Sequence, residues 1–202
     1  TGCKRRIDDV QFQWLKKGLQ GSEGKFKMVI LGHPLYVHGV YQGDTDVRFN
    51  EIANLLQKYE VNVVMAGDTH DFEYYRVPYS ESNPQRVMHH FVNGGGGAYL
   101  SLGTALGWPK TPAVEEYAFY PNKENLIKKL DAQTPSWKFL LWKWTRDFRM
   151  WPFSPEISSS AFDFNKAPFY QSFVEVRVDT PRGNVSVIPY GVRGQLTWQD
   201  LE

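Results

Sequence analysis

The sequence predicts an α/β fold, and three features support this prediction. An apolar run at residues 28–31 ends in a Gly-His-Pro turn, and a second run at residues 61–66 ends in Gly-Asp. Short apolar runs bounded by turn signals are typical of buried strands. An amphipathic helix pattern follows Asp46 and fills the space between the two runs. Strand, helix and strand in this order predict a βαβ unit with a parallel sheet.

Local signals predict the other elements. A helix begins at Asp8 or Asp9, because either residue can cap it and apolar residues then recur at helical spacing. Residues 72–77 and 87–92 predict two antiparallel strands, since only a short polar segment separates them. Residues 173–188 predict a hairpin around a Pro-Arg-Gly-Asn turn.

Composition excludes several classes of protein. The 202 residues are 42% hydrophobic and 22% charged, which is typical of a folded domain or a large part of one. The net charge is 23 − 22 = +1, which excludes the strongly basic kind of nucleic-acid binder. The single cysteine, Cys3, excludes an intrachain disulfide and a zinc site built from cysteines. The sequence has no apolar run of about 18 residues, the length that a membrane-spanning helix needs.

The chain divides into three segments. Residues 1–103 carry the α/β pattern, residues 104–168 are an aromatic-rich and proline-rich insertion or lid, and residues 169–202 form a hairpin that completes the core sheet. Within the insertion, residues 137–151 place most of their aromatic and leucine side chains on one helical stripe. A helix packed on the body of the protein explains this stripe. Docking to a partner protein and contact with a membrane surface are the two alternatives.

Polar residues with metal-binding side chains follow the two predicted parallel strands. His33 follows the first strand, and Asp68 and His70 follow the second. Ligands bind at the carboxyl ends of the strands in open α/β sheets, so these side chains are candidates for one metal site or a pair. Asp71 is a candidate for a hydrogen bond to the far nitrogen of a ligand histidine. The alternative is structural: a turn role for Asp68 and a local hydrogen bond for His70.

Four motifs occur in an order that resembles the C-terminal half of a calcineurin-like metallophosphoesterase, closest to the purple acid phosphatase branch. They are QFQWL at residues 11–15, MVILGHPLY at 28–36, VVMAGDTH at 63–70 and FVNGGGGA at 91–98. The resemblance covers roughly residues 8–103 and, more loosely, the final hairpin. It implies part of a β-sandwich flanked by helices, which hydrolyses phosphate esters with two divalent or trivalent metal ions such as Fe, Mn or Zn.

The resemblance also assigns roles to individual residues. His33 stands where the family binds its second metal, and His70 stands where a histidine serves the first metal. Asp68 replaces the other histidine of the family's Gly-His-x-His motif, and a carboxylate there favours harder ions. In the purple acid phosphatase branch a histidine on the loop after His33 protonates the leaving group, and His38 lies on this loop. The alternative for His38 is an ordinary surface histidine.

The three earlier ligand motifs of the family are not found in this sequence: Asp-x-His, Gly-Asp-x-x-Asp and Gly-Asn-His-Asp. We therefore expect this chain to supply only part of the two-metal site and to need an N-terminal half of the fold for activity. The alternative is a catalytically inactive scaffold that binds a partner through the Trp-rich insertion. Nothing in the sequence indicates the compartment.

Two further features favour structural roles. His89 and His90 are neighbours on a predicted strand, so their side chains point to opposite faces of the sheet. The glycine run at residues 94–97 has no helix start signal after it, as a phosphate-binding loop would require. We therefore expect these glycines to allow close backbone packing.

Overall fold

The structure is a computed structural model that describes residues 7–80, 82, 84–96, 112, 116–122, 124–125, 128, 137, 171–179, 181–182 and 184–201. Most of the segment 104–168 therefore lies outside the described residues, and so does the predicted helix over 137–151 apart from Trp137. Among the described residues, no helix is both long enough and apolar enough to cross a bilayer.

The described elements, in chain order, are α1 (Asp9–Gln20), β1 (Met28–Leu31), β2 (Tyr36–Val37), β3 (Val40–Tyr41), α2 (Val47–Lys58), β4 (Val63–Ala66), β5 (Phe72–Pro78), β6 (Val87–Asn93), β7 (Glu116–Tyr120), β8 (Ser172–Asp179), β9 (Asn184–Gly191), β10 (Gly194–Gln195) and α3 (Trp198–Leu201). A five-stranded mixed sheet has the order β1-β4-β6-β5-β7. β1, β4 and β6 are parallel, and β5 is antiparallel to both of its neighbours. The predicted α/β class and the antiparallel pairing of β5 with β6 are confirmed.

Both N-terminal helices begin where the sequence predicts. The Asp8 side chain accepts a hydrogen bond from the Gln11 amide at 2.7 Å, and Asp46 accepts one from the Arg48 amide at 2.9 Å. The two helices pack on one face of the five-stranded sheet. Their buried side chains share a core with β1 and β4 that includes Leu19, Ile52, Leu55, Leu56, Val29, Leu31 and Val64.

The predicted C-terminal hairpin is confirmed, but it does not complete the central sheet. β8 and β9 join β10 in a separate three-stranded sheet of order β10-β9-β8. Its position is face to face with the central sheet, because Phe72 and Ala118 pack with Leu201 and Val174 across the two layers. A cleft of about 690 Å³ lies between the layers. The hairpin is thus a second layer on the face opposite α1 and α2.

β7 lies inside the segment that the sequence analysis treats as an insertion. It pairs with β5 from Phe72↔Tyr120 to Arg76↔Glu116 and forms one edge of the central sheet. A five-residue strand carries a weak local signal, and its partner on β5 lies some 40 residues earlier in the sequence. The central sheet therefore extends past the boundary that composition suggested.

Candidate metal centre

The carboxyl ends of three parallel strands meet at one edge of the central sheet. β1 pairs in register with β4, and β4 pairs in register with β6. The segments that follow these strands begin at Gly32, Gly67 and Gly94, so they emerge side by side. This edge is where ligands bind in open α/β sheets, and it carries the candidate ligands that the sequence predicts.

His33 and Asp68 lie close together at this edge, although 35 residues separate them in the sequence. His33 Nε2 is 3.9 Å from Asp68 Oδ2, and the two side chains are 36% and 45% exposed. Two atoms that bind the same ion lie at most about 4.2 Å apart, because each bond is about 2.1 Å long. This pair therefore fits one metal ion that is open to solvent on its other side.

His70, the third predicted ligand, has a different position. Its side chain is exposed. Among the described residues, no set of three His, Cys, Asp or Glu ligand atoms within 4.8 Å of one another includes His70. The structure thus brings together two of the three predicted ligands, and the three together do not form one such compact group.

The glycines at the end of β6 allow the backbone after β4 to pack closely. A Cβ at Gly94 would lie 2.1 Å from the Thr69 carbonyl oxygen, and a Cβ at Gly95 would lie 2.7 Å from Ser172 Oγ. Asp68 has a φ of 77°, in the left-handed region that Asp tolerates better than most residues. The predicted close-packing role is therefore confirmed for both glycines: Gly94 leaves room for the segment that presents Asp68, and Gly95 leaves room for Ser172 at the start of β8.

A second cluster of ligand-type side chains lies deeper in the protein and consists of His38, Asp71 and Glu73. His38 Nε2 is 3.1 Å from Asp71 Oδ2 and 3.8 Å from Glu73 Oε1. One ligand atom from each of the three residues lies within 4.8 Å of the others. The side chains are 13%, 8% and 0% exposed, respectively, so this cluster is buried whereas the pair of His33 and Asp68 is open.

The backbone around His38 explains how the loop reaches this cluster. His38 and Gly39 connect β2 to β3 with φ values of 48° and 82°, the conformation of a type I′ hairpin turn. The His38 amide donates a hydrogen bond to Glu73 Oε2, and the Gly39 amide donates one to the Tyr75 hydroxyl, both at 2.9 Å. The turn is therefore attached to β5 by two side chains that share one face of that strand.

Burial governs the electrostatics of the cluster. Burial first, and then the charge of Asp71, raises the pKa of Glu73 well above its usual range, although hydrogen bonds from Tyr75 and the His38 amide oppose this. Burial, and then the charge of Glu73, also raises the pKa of the Tyr75 hydroxyl. Within the described part of the chain, neither Asp71 Oδ1 nor Glu73 Oε1 accepts a hydrogen bond.

The sequence predicts roles for two members of this cluster and none for the third. His38 is predicted as an acid, and Asp71 is predicted as a hydrogen-bond partner of a ligand histidine. Glu73 looked like part of an ordinary strand, because it stands among apolar and aromatic residues and the sequence does not show which face of the sheet its side chain is on. The signal was the spacing of Asp71, Glu73 and Tyr75, which places all three on one face of an extended segment.

His89 and His90 point to opposite faces of the sheet, as predicted. His89 Nδ1 is 2.9 Å from the Tyr74 hydroxyl and lines the cleft between the layers. His90 is buried on the helix side, where its ring meets the edge of Tyr36 at 5.1 Å between centroids. Burial, and then the charge of His89, lowers the pKa of His90 to about 3, so this histidine is a neutral core residue.

The chain is similar to a purple acid phosphatase from the seeds of yellow lupin (Lupinus luteus), with 22% sequence identity and a TM-score of 0.37. The match covers 47% of this chain and 20% of that phosphatase, so this chain spans only about a fifth of the length of the lupin protein. No family model and no curated protein matches the sequence.

Proposed function

We propose that the protein hydrolyses phosphate esters with bound metal ions and that this chain supplies part of the metal site. The observation that carries the proposal is the 3.9 Å approach of His33 to Asp68 at the carboxyl ends of neighbouring parallel strands. Both residues were singled out by the sequence before their proximity was known. Their exposure leaves room for a phosphate ester to reach an ion that they hold.

His33 and Asp68 would hold the ion through an imidazole nitrogen and a carboxylate oxygen, and His70 would contribute from the same segment as Asp68. Imidazole with carboxylate suits Mn, Fe and Zn. When bound, such ions polarise a phosphoryl oxygen and lower the pKa of a coordinated water. The role of this chain is to fix the direction of these ligands, and the packing of Gly94 against Thr69 holds the Asp68 segment in place for it.

The acid role of His38 remains a prediction. An acid that protonates a leaving group must reach it, and the His38 side chain is only 13% exposed and lies 3.1 Å from Asp71. These observations favour a different role for His38. Assays with a phosphate monoester and a phosphate diester distinguish the two substrate classes.

The test uses the complete gene product, purified without added metal and then titrated with Mn²⁺ or Zn²⁺. Hydrolysis of p-nitrophenyl phosphate and of bis(p-nitrophenyl) phosphate is measured beside the metal content. We expect metal-dependent hydrolysis that His33→Ala and His70→Ala abolish. Asp68→Ala should weaken metal binding, and Asp68→His should restore it with a stronger preference for Zn²⁺, since imidazole replaces a harder ligand.

Two results would overturn the proposal. Full activity in His33→Ala or His70→Ala would remove the assignment of these ligands. The other result is a wild-type protein that hydrolyses neither ester and whose metal content is unchanged by His33→Ala and Asp68→Ala. This result would favour the alternative of a non-catalytic scaffold. The Trp-rich segment would then be the place to search for a partner.

A further inference from the structure

We propose that His38, Asp71 and Glu73 form a binding site of their own for a first-row divalent cation such as Mn²⁺ or Zn²⁺. The inference goes beyond the proposed function, because none of these side chains belongs to the pair of His33 and Asp68 or requires phosphate-ester chemistry. It rests on the positions of the three ligand atoms, the orientation of Glu73 and the charge of the cluster.

The distances between the ligand atoms suit a single ion. His38 Nε2 lies 3.1 Å from Asp71 Oδ2 and 3.8 Å from Glu73 Oε1. Both separations are shorter than the limit of about 4.2 Å for two ligands with bonds of about 2.1 Å. The set joins one imidazole with two carboxylates, which favours Mn²⁺, Fe²⁺ or Zn²⁺ over ions that prefer oxygen ligands alone.

Glu73 is held so that one carboxylate oxygen faces the cluster. Its Oε2 accepts hydrogen bonds from the His38 amide, at 2.9 Å, and from the Tyr75 hydroxyl. Its Oε1 is directed toward His38 and is fully buried, and it accepts no hydrogen bond from the residues that the structure describes. Partners that fix a ligand through its other atom in this way are a regular feature of metal sites.

The charge of the cluster calls for a cation. Two carboxyl groups and an imidazole meet here, and all three side chains are almost or entirely buried. Buried charge is costly unless it is paired or coordinates a metal. A divalent cation would pair with Asp71 and Glu73 together, as would a proton shared between the two carboxyl groups, and a metal titration distinguishes these two states.

Occupancy of this site and the predicted acid role of His38 exclude each other. An imidazole that binds an ion through Nε2 has no proton at that atom to donate. The experiment therefore decides between a cation ligand and a proton donor for the same residue, and it does so without an activity measurement.

The test is an equilibrium titration of the metal-depleted complete gene product with Mn²⁺ and Zn²⁺, with bound ions counted by elemental analysis. Glu73→Gln keeps the shape of the side chain and removes its charge, and His38→Asn keeps a residue type that tolerates the positive φ of the turn. We expect each variant to bind one ion fewer than wild type or to bind it at least about tenfold more weakly. Tyr75→Phe should weaken the same ion by about 10- to 100-fold, because it removes a partner that orients Glu73.

Two control variants separate this inference from the proposed function. Glu116→Gln makes the same chemical change at an exposed carboxylate of β7 and should bind as wild type does. His33→Ala should retain the buried ion even where hydrolysis is lost.

Unchanged binding in both Glu73→Gln and His38→Asn would overturn the inference, and so would loss of the same ion in His33→Ala. If Glu73→Gln fails to unfold cooperatively, His38→Asn and Tyr75→Phe decide the question. A wild-type protein that binds no ion would also overturn the inference.

Discussion

His90 should make the stability of this protein sensitive to acid. The side chain is only 3% exposed, and its pKa is lowered from 6.5 to about 3. Above pH 6.5 the residue is neutral in both the folded and the unfolded chain. As the pH falls below 6.5, the unfolded chain takes up a proton that the folded chain does not accept until about pH 3. The contribution of His90 is therefore present at neutral pH and is lost as the pH falls through this window.

The size of the effect follows from the difference in pKa. A difference of about 3.5 corresponds to about 5 kcal/mol in total, at 1.36 kcal/mol for each pKa unit. Between pH 7 and pH 4.5 the linkage relation gives a loss of about 2.5 kcal/mol in the free energy of unfolding. His90→Phe removes this titration and keeps a ring against Tyr36, so the variant should lose less stability on acidification than wild type.

The measurement is urea denaturation of both proteins at several pH values from 7 to 4.5. The quantity of interest is the difference between wild type and variant, because the other titrating groups largely cancel in it. We expect this difference to change by about 2.5 kcal/mol across the range. Met88→Leu, a change at a buried position of the same strand, should show a difference that is independent of pH. A constant difference for His90→Phe would refute the reasoning.

Three further predictions concern two glycines and one helix cap. Gly94→Ala should destabilise the protein by about 3 kcal/mol or more, since its Cβ would lie 2.1 Å from the Thr69 carbonyl oxygen. Gly18 lies inside α1, and a Cβ added there would meet no atom within 4 Å, so Gly18→Ala should stabilise the protein by up to about 1 kcal/mol. Urea denaturation measures both glycine variants, and a change of the same sign in their free energies of unfolding would contradict this description of the packing. Asp46→Ala should cost about 1 kcal/mol because it removes the cap of α2, and Asp46→Ser should recover most of this loss in the same assay.

The sequence predicted those parts of the fold that depend on local pattern. β1 and β4 are short apolar runs between turn residues, and α2 has an acidic cap and helical spacing, so each could be placed before its neighbours were known. The hairpin β2–β3 was missed because each strand has only two residues and the turn depends on positive φ values at His38 and Gly39. A His-Gly pair does not signal that turn as strongly as Asn-Gly does.

The candidate site was also predicted only in part. The rule that parallel strands end at one edge of the sheet was enough to predict that His33 lies near Asp68. The same rule could not predict the role of Glu73. The position of this side chain depends on the place of β5 between β6 and β7 and on a hydrogen bond from the amide of His38, which lies 35 residues earlier. The rule also could not show that, among the described residues, His70 belongs to no group of three ligand atoms within 4.8 Å of one another, since neighbouring residues after a strand can point to either side.

Because two hydrogen bonds attach the β2–β3 turn to β5, this turn can detach from β5 without unfolding of the central sheet. The amides of His38 and Gly39 donate to side chains of β5, so they exchange with solvent when the turn lifts away, while the strand pairing of the central sheet stays closed. Their hydrogen-exchange rates thus report the docking of one turn separately from global unfolding. A cation that joins His38 to Asp71 and Glu73 would slow both rates together, and amides in the β8–β9 layer would serve as the unaffected internal reference.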